Sequence, residues 1–273
     1  MLGKLLKHEF RATGRIMLPV LGVVAILAVL GNFSLRTIDQ VEHLFPTILL
    51  GLLIGAFFLG MFAAWVVAIV LMIRRFRTNL LGDEGYLMFT LPTNVHELVW
   101  SKLIVSFVWF VLTLLVIGLV MCGTVLHLSE LNIGQVLAGF PSWTEIRQAL
   151  AEAGIPLGKL VLLGGEYLAG MILASLSACL HVYASLAIGH SFSKDKILLS
   201  ILAFVAISIL ISILGSGVGV VMFQDLELLS ENGPAVIELL LRMSGRTLLL
   251  TLLQAAALYA ITTGMLKKRL NLG

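Results

Sequence analysis

Charge is what this chain has least of. Asp, Glu, Lys and Arg make up 12% of its 273 residues, about half the share of an ordinary soluble domain. Residues 16–35, 44–73, 103–129, 167–193, 197–224 and 247–266 contain none at all. That emptiness bears on mechanism. Proton- and sodium-coupled transporters place an ionisable group near the bilayer midplane, and channels show charged rings or filter loops. Neither pattern is visible, so the energy for any transport should come from elsewhere. Cysteine is nearly absent too. Cys122 and Cys179 each lie inside an apolar stretch, which gives no metal framework and no secreted disulfide pattern; both read as packing residues.

Other chemistry is missing as well. There is no G-x-x-x-x-G-K-[ST] phosphate loop and no H-E-x-x-H zinc motif, which argues against direct ATP binding and a zinc protease. The six histidines are scattered, and only His181 sits well inside a stretch; it reads as a hydrogen-bonding packing residue, with a ligand role as the alternative. Ser216, between Gly215 and Gly217, resembles a nucleophile motif only superficially, since no His or Asp is expected at its depth. Gly215 and Gly219, like Gly51 and Gly55, suit close helix packing.

What is present is apolar length. Hydrophobic residues make up 59% of the chain and its mean hydropathy is +1.07. About 20 apolar residues in a helix cross a bilayer core, and in lipid the backbone must satisfy its own hydrogen bonds. The expected fold is an all-α membrane protein, one domain over 1–273. Its six spans are placed at about 16–35, 46–73, 100–127, 167–191, 197–223 and 247–266. The first of them is long for a signal-peptide core and is followed by no small-x-small site, so it reads as retained.

With the N-terminus in the cytoplasm, thirteen Lys and Arg fall on the cytoplasmic side and five outside. The positive-inside rule then puts both termini in the cytoplasm of a multi-pass cell-membrane protein. The basic balance reads as topology and anionic-lipid contact, not as nucleic-acid binding.

The polar segments are patterned. At about 100° per residue, Lys4, Lys7, Arg11 and Arg15 cluster on one side of a helix and Leu2, Leu5, Leu6 and Phe10 on the other, an amphipathic helix expected in the cytoplasmic interface. Glu9 falls on the apolar side. It either snorkels from a shallow helix or is a buried partner for a base such as Arg74 or Arg75. In the first cytoplasmic loop, Asp83 and Glu84 suit a helix start. Tyr86, Leu87, Met88 and Phe89 form a bulky apolar body, Pro92 breaks it, and Asn94 with Glu97 opens the next helix. On the outer side, Ser142 and Glu145 form a capping box, with Trp143, Ile146, Leu150 and Ala153 on one face and Gly154 and Pro156 as the stop. A second outer helix is expected over 234–243, ended by Gly245. The first reads as a short interfacial helix and the second as a short interfacial or shallow re-entrant one.

Together these features resemble the membrane subunit of a bacterial ABC transporter, of the type-2 permease class. The basic amphipathic start MLGKLLKHEFRATGR, the six spans, the loop GDEGYLMFTLP followed by SK, and the tail KKRLNLG after the last span carry the resemblance, which covers essentially the whole chain. It implies a connecting helix at the N-terminus. It also implies a coupling helix at Asp83, Glu84, Tyr86, Leu87, Phe89 and Pro92 that sits in a groove of a soluble ATPase. No cofactor is expected in this chain; ATP and Mg belong to that partner. Six spans make half a transporter, so a second permease copy or a paralogue completes it. The expected function is therefore the permease of an ATP-driven exporter. A non-transporting membrane scaffold or sensor is the alternative; an intramembrane enzyme would need paired catalytic groups at one depth. Asn32, Thr251 and Gln254 are candidate substrate contacts within the apolar spans.

Overall fold

The computed structural model of the chain describes residues 2–41, 43–82, 85, 94–128, 134, 138–139, 141–192, 194–227 and 233–268. Among these there are seven α-helices: α1 Leu2–Thr37, α2 Leu44–Phe76, α3 Val95–Leu128, α4 Trp143–Glu152, α5 Leu157–Gly189, α6 Lys196–Glu227 and α7 Gly233–Lys268. All but α4 are long and apolar enough to cross a membrane, as a multi-pass membrane protein requires. The residues cluster into two compact units. Unit 1 holds 1–75 and 97–140; unit 2 holds 76–96 and 141–273. Each contains three of the long helices.

Unit 1 is a bundle of α1, α2 and α3. Val24 and Ala28 of α1 pack with Phe57, Met61 and Ala64 of α2, and Val116, Ile117 and Val120 of α3 close over them. In lipid such contacts hold by shape complementarity, because hydrocarbon is as apolar as leucine. The fit between α1 and α2 depends on glycine. A methyl added to Gly31 would stand 2.6 Å from the side chain of the fully buried Phe57, and one added to Gly60 would stand 2.6 Å from Leu27. A second cluster joins Met17, Ala68 and Leu71, with Val67 and Trp109 against it.

Helix α1 differs from expectation. It runs unbroken for 36 residues, about 54 Å at 1.5 Å per residue, so the basic segment and the first span are one helix. Nothing between Ala12 and Ile16 breaks it; Thr13 returns its hydroxyl to the Glu9 carbonyl at 2.7 Å, and Pro19 lies within the helix. Lys4, Lys7, Arg11 and Arg15 are exposed, as the wheel requires. On the opposite face, where Leu2, Leu5 and Leu6 are half-buried, Phe10 tilts against Trp109, ring centroids 6.4 Å apart.

In unit 2, α5 packs against both α7 and α6. Its second half is the most buried part of the unit, with Leu180, Tyr183, Ala184, Ser185 and Ala187 enclosed. Helix α6 is largely exposed; only 6% of its apolar window is buried, against 39% for α5. The turn between them is tight, since any side chain at Gly189 would strike the Ser200 backbone nitrogen at 2.4 Å. The glycines expected to pack closely do not: a methyl at Gly51, Gly55, Gly215 or Gly219 would meet nothing within 4 Å.

Helix α4 opens with the expected capping box. The Glu145 amide donates to Ser142 Oγ at 3.3 Å and the Ser142 amide donates to Glu145 Oε2 at 2.7 Å. It ends before Gly154, whose φ of 66° suits glycine. The second outer helix is not separate. The 234–243 segment continues through Gly245 as the first part of α7. A mid-helix glycine costs only about 1 kcal/mol, and local bonds offset it: Arg242 pairs with Glu238 at 2.9 Å, and Ser244 donates to Glu166 of α5 at 2.5 Å.

Candidate functional site

Two polar constellations stand out, one in each unit. The first lies at the roots of the loop that follows α2. Helix α2 gives way to a π-helical turn, Arg77–Leu81, in which Asn79, Leu80 and Leu81 are buried. Just before it, the fully buried Phe76 stacks flat on Tyr183 of α5, centroids 4.1 Å apart and rings 9° from parallel. At the far end, the chain re-enters helix at Val95, directly after Asn94. There His96 Nδ1 lies 2.7 Å from the Tyr259 hydroxyl, and Lys267 donates to His96 Nε2 at 3.0 Å. An ammonium can only donate, so Nε2 accepts and the ring proton sits on Nδ1, pointing at Tyr259. Both ends of the 77–95 segment are thus fastened inside unit 2, one to α5 and the other to α7. The coupling residues proposed from the resemblance, Asp83, Glu84, Tyr86, Leu87, Phe89 and Pro92, lie outside the described residues.

The second constellation is in unit 1. Glu9 is not a snorkelling carboxylate. Its side chain is 8% exposed and forms a buried ion pair with the Lys102 ammonium, itself 2% exposed. Thr13 shares its environment, accepting from the Trp109 indole nitrogen at 2.8 Å. These groups, with Arg75 and Ser106, line a cavity of about 20 Å³, room for one water. The buried-partner reading of Glu9 therefore holds: Lys102 is a base paired with it, and Arg75 lines the same cavity. Nothing in the sequence marks it: Lys102 stands 93 positions away, at the boundary of a span, where it reads as a topological charge. Two charges removed from water tolerate burial only when paired and hydrogen-bonded. The pair joins the start of α1 to the start of α3.

The other singled-out residues have ordinary partners. His181 Nε2 lies 3.2 Å from the Phe204 carbonyl and its ring stacks on Phe204 at 4.3 Å, which matches a packing histidine. Thr251 returns its hydroxyl to Thr247, a common way for a span to satisfy a polar side chain. Asn32 donates to the Ala28 carbonyl at 2.8 Å; its Oδ1, like the Ser177 hydroxyl, is buried with no partner among the described residues. No group of three or more His, Cys, Asp or Glu among the described residues is placed to hold a metal ion. Set against protein-family models, curated proteins and solved structures, the chain gives no significant match.

Proposed function

We propose that this chain is the membrane-spanning permease subunit of an ATP-driven ABC transporter, working as an exporter with a second permease half. In this reading a separate soluble ATPase docks on the 83–92 segment from the cytoplasm. The supporting observation is the fastening of that segment's two roots, by the Phe76–Tyr183 stack and the His96–Tyr259–Lys267 bonds. A loop tethered loosely would absorb a pull from a partner. A loop whose roots are packed on two long helices passes the displacement to them, which is what driving a rocking transition requires. The scarcity of ionisable groups in the spans fits an external energy source.

The test is recovery of the partner. The full chain, purified from mild detergent, should carry a soluble ATPase and show no ATP turnover once that partner is stripped. Replacing Tyr86 and Phe89 with Ala should cost about 2 kcal/mol or more of association per anchor while leaving insertion unchanged. Robust hydrolysis by the stripped chain would sink the reading. Partner recovery unaffected by the double substitution would assign the segment to lipid instead. A membrane scaffold would yield no ATPase at all.

A further inference from the structure

At the junction of α5 and α6, unit 2 opens a pocket that shares Arg77 with the first loop root but otherwise takes no part in the permease reading. Arg77, His190, Asp195, Lys196, Ile197, Leu198 and Ile201 line it, and its volume is about 650 Å³, within the range of small-ligand sites. We propose that this pocket binds the phosphodiester headgroup of an anionic phospholipid. Arg77 and Lys196 would hold the phosphate oxygens, and Ile197, Leu198 and Ile201 would bed the first carbons of the acyl chains.

Three observations converge on this. Two cations and one carboxylate line the pocket, and Lys194, next in the chain, is exposed. The pocket includes the first turn of a 32-residue helix, whose leading amides have no intrahelical acceptor and favour an anion. His190 forms a closed wall: it is 8% exposed and its Nδ1 donates to the Leu186 carbonyl at 3.0 Å. Burial foremost, opposed by the Leu186 bond and aided by the positive charge of Lys196 and then Arg77, holds that imidazole below its ordinary range.

The apolar side of the pocket selects the source of the phosphate. Ile197, Leu198 and Ile201 are each more than half exposed on α6, continuous with a helix long and apolar enough to lie in a bilayer. A soluble phosphate has no use for them. A lipid whose headgroup rests on Arg77 and Lys196 would lay its chains along them. Basic pockets beside membrane helices bind acidic headgroups in this way. The inference needs only membrane embedding and stands apart from the permease assignment.

The experiment uses the purified full chain. Phosphatidylglycerol in phosphatidylcholine nanodiscs is titrated, and bound lipid is counted by native mass spectrometry. Wild type should retain phosphatidylglycerol in preference to phosphatidylcholine. R77Q/K196Q should weaken that retention on the order of thirtyfold, as loss of two surface cations implies. K159Q/R242Q, which removes two cations from the Glu238 cluster, should leave it unchanged. A monodisperse profile and an unshifted unfolding midpoint establish that each variant is folded; should the double variant fail this, R77Q and K196Q are tested singly, each expected to cost about fivefold. Equal retention by folded variants and wild type would overturn the site. Inorganic phosphate that stabilises the chain as strongly as the lipid does would overturn the lipid assignment.

Discussion

The two units solve the same problem, placing polar groups among membrane-length helices, in opposite ways. Among the described residues, unit 1 gathers buried polar chemistry around a charge couple, Glu9 with Lys102, beside Thr13 and Trp109. Unit 2 spreads it over separate contacts: His96 to Tyr259 and Lys267, Glu166 to Ser244, His181 to the Phe204 carbonyl. A sealed ion pair is stiff and unforgiving, because losing one partner strands the other charge. Distributed hydrogen bonds are individually modest, and several can rearrange without any one being decisive. The loop roots belong to unit 2. On the permease reading, then, the unit that receives the ATPase's pull is the one joined by bonds that exchange most easily.

The strongest way to break this contrast is at Glu9. Glu9→Ala leaves the Lys102 ammonium buried without its carboxylate, and should destabilise the protein by about 3–5 kcal/mol. Lys102→Met should cost a similar amount from the other side. The double variant Glu9→Leu with Lys102→Met removes both charges and should recover most of the loss, since a buried pair is often no better than an apolar replacement. Unfolding midpoints in detergent, read as a double-mutant cycle, would show the coupling. Additive losses would mean the pair is not a sealed unit.

Overpacking tests the next level. Gly189→Ala sets a methyl against the Ser200 backbone nitrogen at 2.4 Å. Backbone cannot turn aside, so the cost should reach the top of the usual range of about 1–3 kcal/mol. Gly31→Ala presses on Cβ and Cγ of the fully buried Phe57 at 2.6 Å, atoms fixed close to the backbone, and should fall only a little lower in that range. Gly215→Ala meets nothing and should be neutral or stabilising by up to about 1 kcal/mol through helix propensity. Thermal unfolding of the three variants ranks them; a Gly215 variant as damaged as Gly189 would place a contact on α6 that the chain alone does not make.

How much of this was readable in advance follows from range. The six long helices are written in uncharged length, a local property, and the α4 capping box needs only Ser142 and Glu145 three residues apart. The unbroken course of α1 and α7 was not readable. Gly245 reads as a stop, yet it costs little, and the packing of Phe10 on Trp109 and of Ser244 on Glu166 favours continuation. The partner of Glu9 was hidden for a stronger reason: 93 residues separate it from Lys102, and no local pattern encodes a tertiary pair. The same holds for glycines. Gly31 and Gly189 matter because of what faces them, while the more motif-like Gly215 and Gly219 face nothing within the chain.

Unit 2 offers a milder test at the loop root. Tyr259→Phe removes the hydroxyl that His96 addresses, and should cost about 0.5–1.5 kcal/mol, as for a single hydrogen bond. Lys267→Met should act similarly from the other nitrogen. If these contacts carry displacement from the loop, partner ATPase turnover in the complex should lose its dependence on transport substrate more than stability declines. A loss of coupling no greater than that of Ser244→Ala, at a distant part of α7, would show that His96 only fastens the helix.

The smallest effect expected is a pH slope, and it separates the units by sign of chemistry. His190 closes the α5–α6 turn, donating Nδ1–H to Leu186, with Arg77, Asp195 and Lys196 around it. Burial foremost, then the nearby Lys196 and Arg77 charges, hold it below the ordinary histidine range of about 6.5, against the raising effect of the Leu186 bond. The unfolded chain therefore binds the proton more readily than the folded one. By linkage, stability from this group is fully present above the unfolded value and is lost as pH falls through the folded one. His190→Asn keeps a donor for Leu186 and removes the titration. Unfolding midpoints followed from pH 8 to pH 5 should fall more steeply for wild type than for His190→Asn. The other histidines contribute equally to both profiles and cancel in the difference. A difference that is flat, or that favours wild type at low pH, would mean that the α5–α6 turn accepts the proton, and that its cations do not act on His190 as their positions require.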